Sequence, residues 1–217
     1  MIIFGSSISP FVRKTLAFAA EKGIAVDNVP TRIADDNPDF RAASPFRKMP
    51  ALQDGDYRLA DSSAICHYLD ALKPDPALIP ADPRLRGKVV WFDEFADTLL
   101  FACGAKMFFN RIIAPRFLGR EGDLAAADAA EHEELPPLLD YLEGQVPDSG
   151  FLVGDRLTLA DIAVASPFGN FRMLEVDIDG ARHPKLHDYV RRMLARPSFA
   201  EQLAGNMAFL AQTAAPA

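Results

Sequence analysis

Residues 1–23, MIIFGSSISPFVRKTLAFAAEKG, decide the fold. Ile2 to Phe4 form a short apolar run, Gly5 to Pro10 a polar turn, and Val12, Leu16, Ala17 and Ala20 then recur at helical spacing. The order is strand, loop, helix. Ser9 suits the N-cap of that helix and Pro10 its first position, where the missing proline N–H has no intrahelical bond to lose. Gly23 stops the helix, and IAVDNV (24–29) supplies a second short strand before charged and proline-bearing turns.

Downstream, Met49-Pro50 leads into Ala51, Leu52 and Gln53, and Asp54-Gly55 favours a tight hairpin turn into Tyr57 to Leu59. Asp61, Ser62 and Ser63 open a helix whose Ile65, Leu69 and Leu72 return at helical spacing until Lys73-Pro74 breaks the pattern. The segment KPDPALIPADP (73–83) carries four prolines in eleven residues and reads as an ordered connector. We therefore expect an α/β domain over 1–76 and an all-α helical bundle over 84–217, with helical patterns at 89–109, 124–142, 159–173, 187–194 and 199–210. In GDRLTLADI (154–162), Thr158 and Asp161 have the spacing of a capping box and Leu157 that of a hydrophobic staple, which makes them structural first.

With 217 residues, 49% of them hydrophobic and 16 of them Phe, the chain has ample material for a core, and disorder is excluded. A formal charge of -7 argues against a nucleic-acid surface, which needs clustered Lys and Arg. The charge is uneven: residues 1–80 hold 9 basic and 10 acidic side chains, whereas 81–217 hold 14 and 20. An anionic ligand meets less repulsion in the first part. Cys66 and Cys103 make neither a CxxC pair nor a metal cluster, His183 and His187 lack a third ligand, and His67 beside Cys66 points in another direction on its helix. No metal site is expected. The start has no basic segment ahead of a long apolar one, and no stretch reaches 18 uninterrupted apolar residues, so neither export nor membrane spanning is expected and the cytoplasm is the expected location.

The serine loop is the most informative chemistry. Ser6, Ser7 and Ser9 stand where unpaired backbone N–H groups and the positive helix end converge, so an anion is favoured there. A serine hydroxyl at that point donates to a thiolate and stabilises a nucleophile it does not itself become. Met49-Pro50 at a strand edge leaves backbone groups free for an extended peptide-like ligand, and the N–H groups around Ser62 suit its carboxylate. The implied ligand is small, anionic and peptide-like.

Four ordered segments, SPFVRKTLAFAAEKG, SPFRKMPAL, LADSSAICHYL and GDRLTLADI, together resemble the cytosolic glutathione transferase family over nearly the whole chain. The resemblance implies a thioredoxin-like N-terminal domain followed by an all-helical one, with glutathione as cosubstrate and no metal. It implies that Pro50 is cis, that the Met49 backbone pairs with the cysteinyl unit of glutathione, that Asp61 and Ser62 hold the γ-glutamyl end, and that Lys48 assists at the glycyl carboxylate. Asp61 stands where the family more often has glutamate, and Met49 where it usually has valine or isoleucine. Ser9 stands where thioredoxin-like relatives carry a cysteine, so it is the first candidate to orient the thiolate, with Ser7 and Ser6 as rivals. Serine there disfavours mixed-disulfide chemistry and favours conjugation. Phe11, Phe101, Met107, Phe108, Arg111 and Phe168 are the candidate wall for a small hydrophobic electrophile. The resemblance further implies a cytoplasmic homodimer. Glutathione-dependent isomerisation or dehalogenation would use the same thiolate, and a non-catalytic glutathione- or protein-binding module would share the fold.

Overall fold

A computed structural model describes residues 1–32 and 35–213. β1 (Ile2–Phe4) runs parallel to β2 (Asp27–Val29) and antiparallel to β3 (Ala51–Asp54), which pairs antiparallel with β4 (Tyr57–Ala60). The strand order β2-β1-β3-β4, with α1 (Pro10–Glu21) crossing between the parallel pair, is the mixed sheet of a thioredoxin-like domain. Only three residues of 24–29 join the ladder. The turns after β2 also contain a helix that the sequence pattern did not predict, α2 (Pro38–Ala43), whose Asn37 side chain accepts from the N–H groups of Asp39 and Phe40. Six residues burying only Phe40 and Ala43 are too few for a 3.6-residue period to show.

α3 (Ser62–Leu72) completes the first unit, and everything from Pro83 to Gln212 that is regular is helical. The run from Pro83 to Phe117 joins α4 (Pro83–Phe95), α5 (Phe101–Phe108) and α6 (Ala114–Phe117) through two π-helical segments, Ala96–Leu100 and Phe109–Ile113. α7 (Leu124–Ala129) and α8 (Leu135–Gln145) are joined by a third, Ala130–Glu134. The helix expected to begin near Val89 starts at Pro83 instead, because Asp82 caps it by accepting from the N–H groups of Arg84 and Leu85.

α9 (Leu159–Met173) lies at the centre, with every residue from Leu159 to Phe171 buried. Such a helix is apolar on most of its surface because it is surrounded, and its buried Asp161, Ser166 and Asn170 are all hydrogen-bonded. Thr158 and Asp161 form its capping box. The buried Asp161 carboxylate accepts from the Thr158 N–H at 2.9 Å, the Leu152 N–H at 2.8 Å and the Tyr189 hydroxyl at 3.2 Å. Burial pushes the Asp161 carboxyl up, and these donors oppose that shift. α10 (Pro184–Leu194) packs against α9 and α8, and α11 (Pro197–Gln212) against α1 and α10. α1 is the shared element, touching α3 on one side and α9 and α11 on the other. The large core is continuous from Ile3 and Leu52 through Phe18 to Phe168 and Tyr189, so the two units share one apolar interior. Among the described residues no helix is long and apolar enough to cross a membrane.

Candidate active site

Strand register assembles the site. Phe4 at the end of β1 pairs with Ala51 at the start of β3, and Ala51 pairs with Ala60 at the end of β4. The segments that adjoin these three residues, the serine loop 6–9, Met49-Pro50 and Asp61-Ser62, therefore leave the sheet at the same end. Gly5 tightens the approach: its φ is +137°, and a Cβ there would lie 2.5 Å from a Val12 methyl and 3.1 Å from the Met49 Cβ. A side chain would push the serine loop away from Met49.

Ser9 occupies the N-cap position of α1 and Pro10 the first turn, yet the Ser9 hydroxyl makes no capping bond. Proline at N1 has already removed one donor that needed a partner. The Ser9 side chain is half-buried and its hydroxyl is uncommitted among the described residues. The other two serines differ. The Ser7 hydroxyl donates to Asn206 Oδ1 at 2.9 Å, and Ser6 Oγ accepts a long bond from the Ile8 N–H at 3.4 Å.

The Met49-Pro50 bond is cis. Met49 is half-buried, and among the described residues neither its N–H nor its carbonyl is hydrogen-bonded within the chain. The Ser44 hydroxyl holds the preceding turn by donating to the Lys48 carbonyl at 2.7 Å and accepting its N–H at 3.0 Å, while the Lys48 side chain stays exposed. Asp61 sits at φ 86°, a left-handed conformation that costs a non-glycine residue on the order of 1 kcal/mol or more. Its carboxylate caps α3 through the Ala64 N–H at 2.9 Å. The N–H groups of Ser62 and Ser63 stand at the positive end of an 11-residue helix that starts at the same end of the sheet as Met49 and Ser9.

Behind Ser62 lies a buried ionic group that the sequence pattern did not reveal. Lys14 Nζ meets Asp93 at 2.7 Å, Asp97 at 2.5 Å and the Ser63 hydroxyl at 3.1 Å, and Ser62 Oγ donates to Asp97 at 3.3 Å. Burial alone would push the Lys14 ammonium down, but the two carboxylates outweigh it and raise it. Asp97 moves up because burial exceeds the pull of Lys14. The sequence signal is a charged pair, Arg13-Lys14, in the middle of a largely apolar helix.

The candidate wall residues fall into three groups. Phe11 and Phe101 pack at 4.4 Å between ring centres with their planes tilted by 51° and are half-buried, and Phe108 joins Ile112 and Leu210 in a small cluster against Ile8 of the serine loop. Met107 and Phe168 are buried within the main core, Phe168 edge-on to Phe171. Arg111 is tied to Asp128 at 2.7 Å and to Glu131.

Residues 3–77 match the model of the glutathione S-transferase N-terminal domain and residues 98–197 that of the C-terminal domain. Glutathione S-transferase 4 of Zea mays is 35% identical over 173 residues, covering 76% of this chain and 74% of that protein. The chain belongs to the glutathione S-transferase family. It is also similar to maleylacetoacetate isomerase of Rattus norvegicus, 27% identical over 201 residues and covering 90% of this chain and 87% of that one. A solved glutathione S-transferase of Methylobacterium radiotolerans, in complex with glutathione sulfonate, superposes with a TM-score of 0.75 at 27% identity, over 93% of each chain.

Proposed function

We propose that the protein is a glutathione transferase in which the Ser9 hydroxyl stabilises the glutathione thiolate for attack on small hydrophobic electrophiles. The observation that carries this reading is the uncommitted Ser9 hydroxyl at the mouth of α1, on the sheet end where Met49 and the Ser62 amides also converge. Ser7 is the weaker candidate because its hydroxyl already serves Asn206. The Met49 backbone would pair with the cysteinyl unit in the manner of an added strand, the Ser62 and Ser63 N–H groups with Asp61 would take the γ-glutamyl end, and Lys48 the glycyl carboxylate. The thiol proton leaves to solvent. The thiolate sulfur then forms a bond to the electrophilic carbon while the leaving group departs with its electron pair, and Phe11, Phe101 and Phe108 line the approach.

Similarity to the rat isomerase supports a second reading, in which the same thiolate adds reversibly to a cis double bond and leaves after rotation. A homodimer fits the exposed apolar groups Phe46, which is 87% exposed, and Trp91, which is 50% exposed. Calorimetric titration with glutathione, followed by turnover of an activated aryl chloride, tests the proposal. Micromolar to millimolar binding with conjugate formation supports transfer. Binding with no conjugate, but with isomerisation of a maleyl substrate that consumes no glutathione, supports the second reading. Absence of binding contradicts both.

A further inference from the structure

α1 and its C-cap residue Lys22 bury three cations, and two of them have carboxylate partners: Lys14 with Asp93 and Asp97, and Lys22 with Asp70 at 2.7 Å. Arg13 has none among the described residues. It is wholly buried, and its guanidinium is held by neutral acceptors only: Nη1 donates to the Ser166 carbonyl at 2.6 Å and Asn170 Oδ1 at 2.8 Å, and Nη2 to the Ile8 carbonyl at 3.3 Å. Its Nε is buried without a partner. The cavity is built for this group, because a Cβ at Gly169 would lie 2.5 Å from Nη1.

The charged side chains on the elements packed against α1 either have other partners or are exposed. Asp70 of α3 serves Lys22, Asp161 of α9 serves its own cap, and Arg196 ahead of α11 holds Glu21. Asp61 of α3, Arg172 of α9 and Glu201 of α11 are exposed. Burying a charge without a counter-charge is costly, so such a charge is kept where an anion arrives. Desolvation lowers Arg13 to about 9, which still leaves it protonated at neutral pH. The guanidinium reaches the serine loop itself, bonding the carbonyl of Ile8, the residue before Ser9, at 3.3 Å.

We propose that Arg13 is the fixed positive charge beneath the serine loop that stabilises the thiolate over the thiol of glutathione bound at Ser9. This rests on the reading of Ser9 given above. Arg13 does not touch the sulfur; it acts across the loop through low-dielectric protein, alongside the amide dipoles of α1. The thiol proton goes to solvent, and no bond to Arg13 forms or breaks.

The test is the pKa of enzyme-bound glutathione, read from thiolate ultraviolet absorbance, in the wild type and in Arg13→Lys, Arg13→Gln, Asn170→Asp and Asn170→Ala. Arg13→Gln should raise it by about one unit, roughly tenfold less thiolate near neutrality, while Arg13→Lys stays within a few tenths. Should Arg13→Gln not fold, Asn170→Asp neutralises the charge with Arg13 still present. It should raise the pKa by a similar amount, whereas Asn170→Ala, which like Asn170→Asp gives up the Nδ2 bond to the Ile8 carbonyl at 3.1 Å but adds no charge, should not. A lowered wild-type pKa that Arg13→Gln leaves unchanged, or that Asn170→Asp and Asn170→Ala change equally, overturns the role of Arg13 and leaves that of Ser9 standing. A wild-type pKa no lower than that of free glutathione overturns both.

Discussion

Ser7 and Asn206 form a reciprocal pair across the two domains: the Ser7 hydroxyl donates to Asn206 Oδ1 at 2.9 Å, and Asn206 Nδ2 donates to the Ser7 carbonyl at 3.0 Å. One asparagine on α11 thereby fixes the backbone two residues before Ser9. Asn206→Ala leaves both Ser7 groups without their partner in a part-buried setting, at a cost of about 1–2 kcal/mol. We expect a lower melting temperature and a three- to tenfold fall in kcat/KM for conjugation, roughly the loss of one positioning bond. Ser7→Ala keeps the Nδ2 bond to the carbonyl and should change kcat/KM by no more than about twofold. Equal kinetic losses in the two variants would contradict this division of labour.

Asp161 is the second place where a single side chain ties distant segments. Its carboxylate joins the α9 cap, the Leu152 turn and Tyr189 of α10. Asp161→Ala strands those donors in a buried site and should cost about 3 kcal/mol. Urea unfolding should show a lower midpoint with an unchanged slope.

The Glu21–Arg196 pair sets an acid dependence. Burial opposes ionisation of Glu21, but the hydrogen bonds from Arg196 and Ser198 outweigh it and hold the carboxyl below its usual range. A carboxyl lowered by folding contributes stability that is present above its unfolded pKa and lost as pH falls through its folded one. Glu21→Gln should thus be less stable than the wild type by about 1–2 kcal/mol at pH 7, because the bond is two-pronged and partly buried. That difference should shrink as the pH falls below the ordinary carboxylate range, which urea midpoints measured at several pH values would show.

Phe46, 87% exposed four residues before the cis proline, is the most exposed large apolar side chain among the described residues. If it is covered in a homodimer, each copy contributes about 1.5–3 kcal/mol of burial. Phe46→Ser should then weaken dimerisation by at least tenfold in sedimentation equilibrium while each chain stays folded. A wild-type protein that sediments as a monomer would remove this part of the account.

Some of this architecture was legible in the sequence for local reasons. The bounds of α9 follow from Thr158, Asp161 and a largely apolar run, and the three converging segments are marked by turn and cap residues whose roles are set within a few positions. The rest depends on contacts far apart in the chain. Arg13 meets a carbonyl 153 positions away, and Asn206 meets Ser7 across 199. The π-helical segments shift the helical phase, so periodicity alone hides them. Periodicity also shows that Met107 and Phe168 lie on apolar faces without distinguishing core from pocket, and both lie in the core.

Activation of the glutathione thiol by Ser9 would be read in the pKa of bound glutathione, followed by thiolate absorbance in the wild type, Ser9→Ala and Ser7→Ala. We predict a value below that of free glutathione in the wild type and in Ser7→Ala, and a return toward the free value in Ser9→Ala. A lowered pKa that persists in Ser9→Ala and is lost in Ser7→Ala would contradict the account.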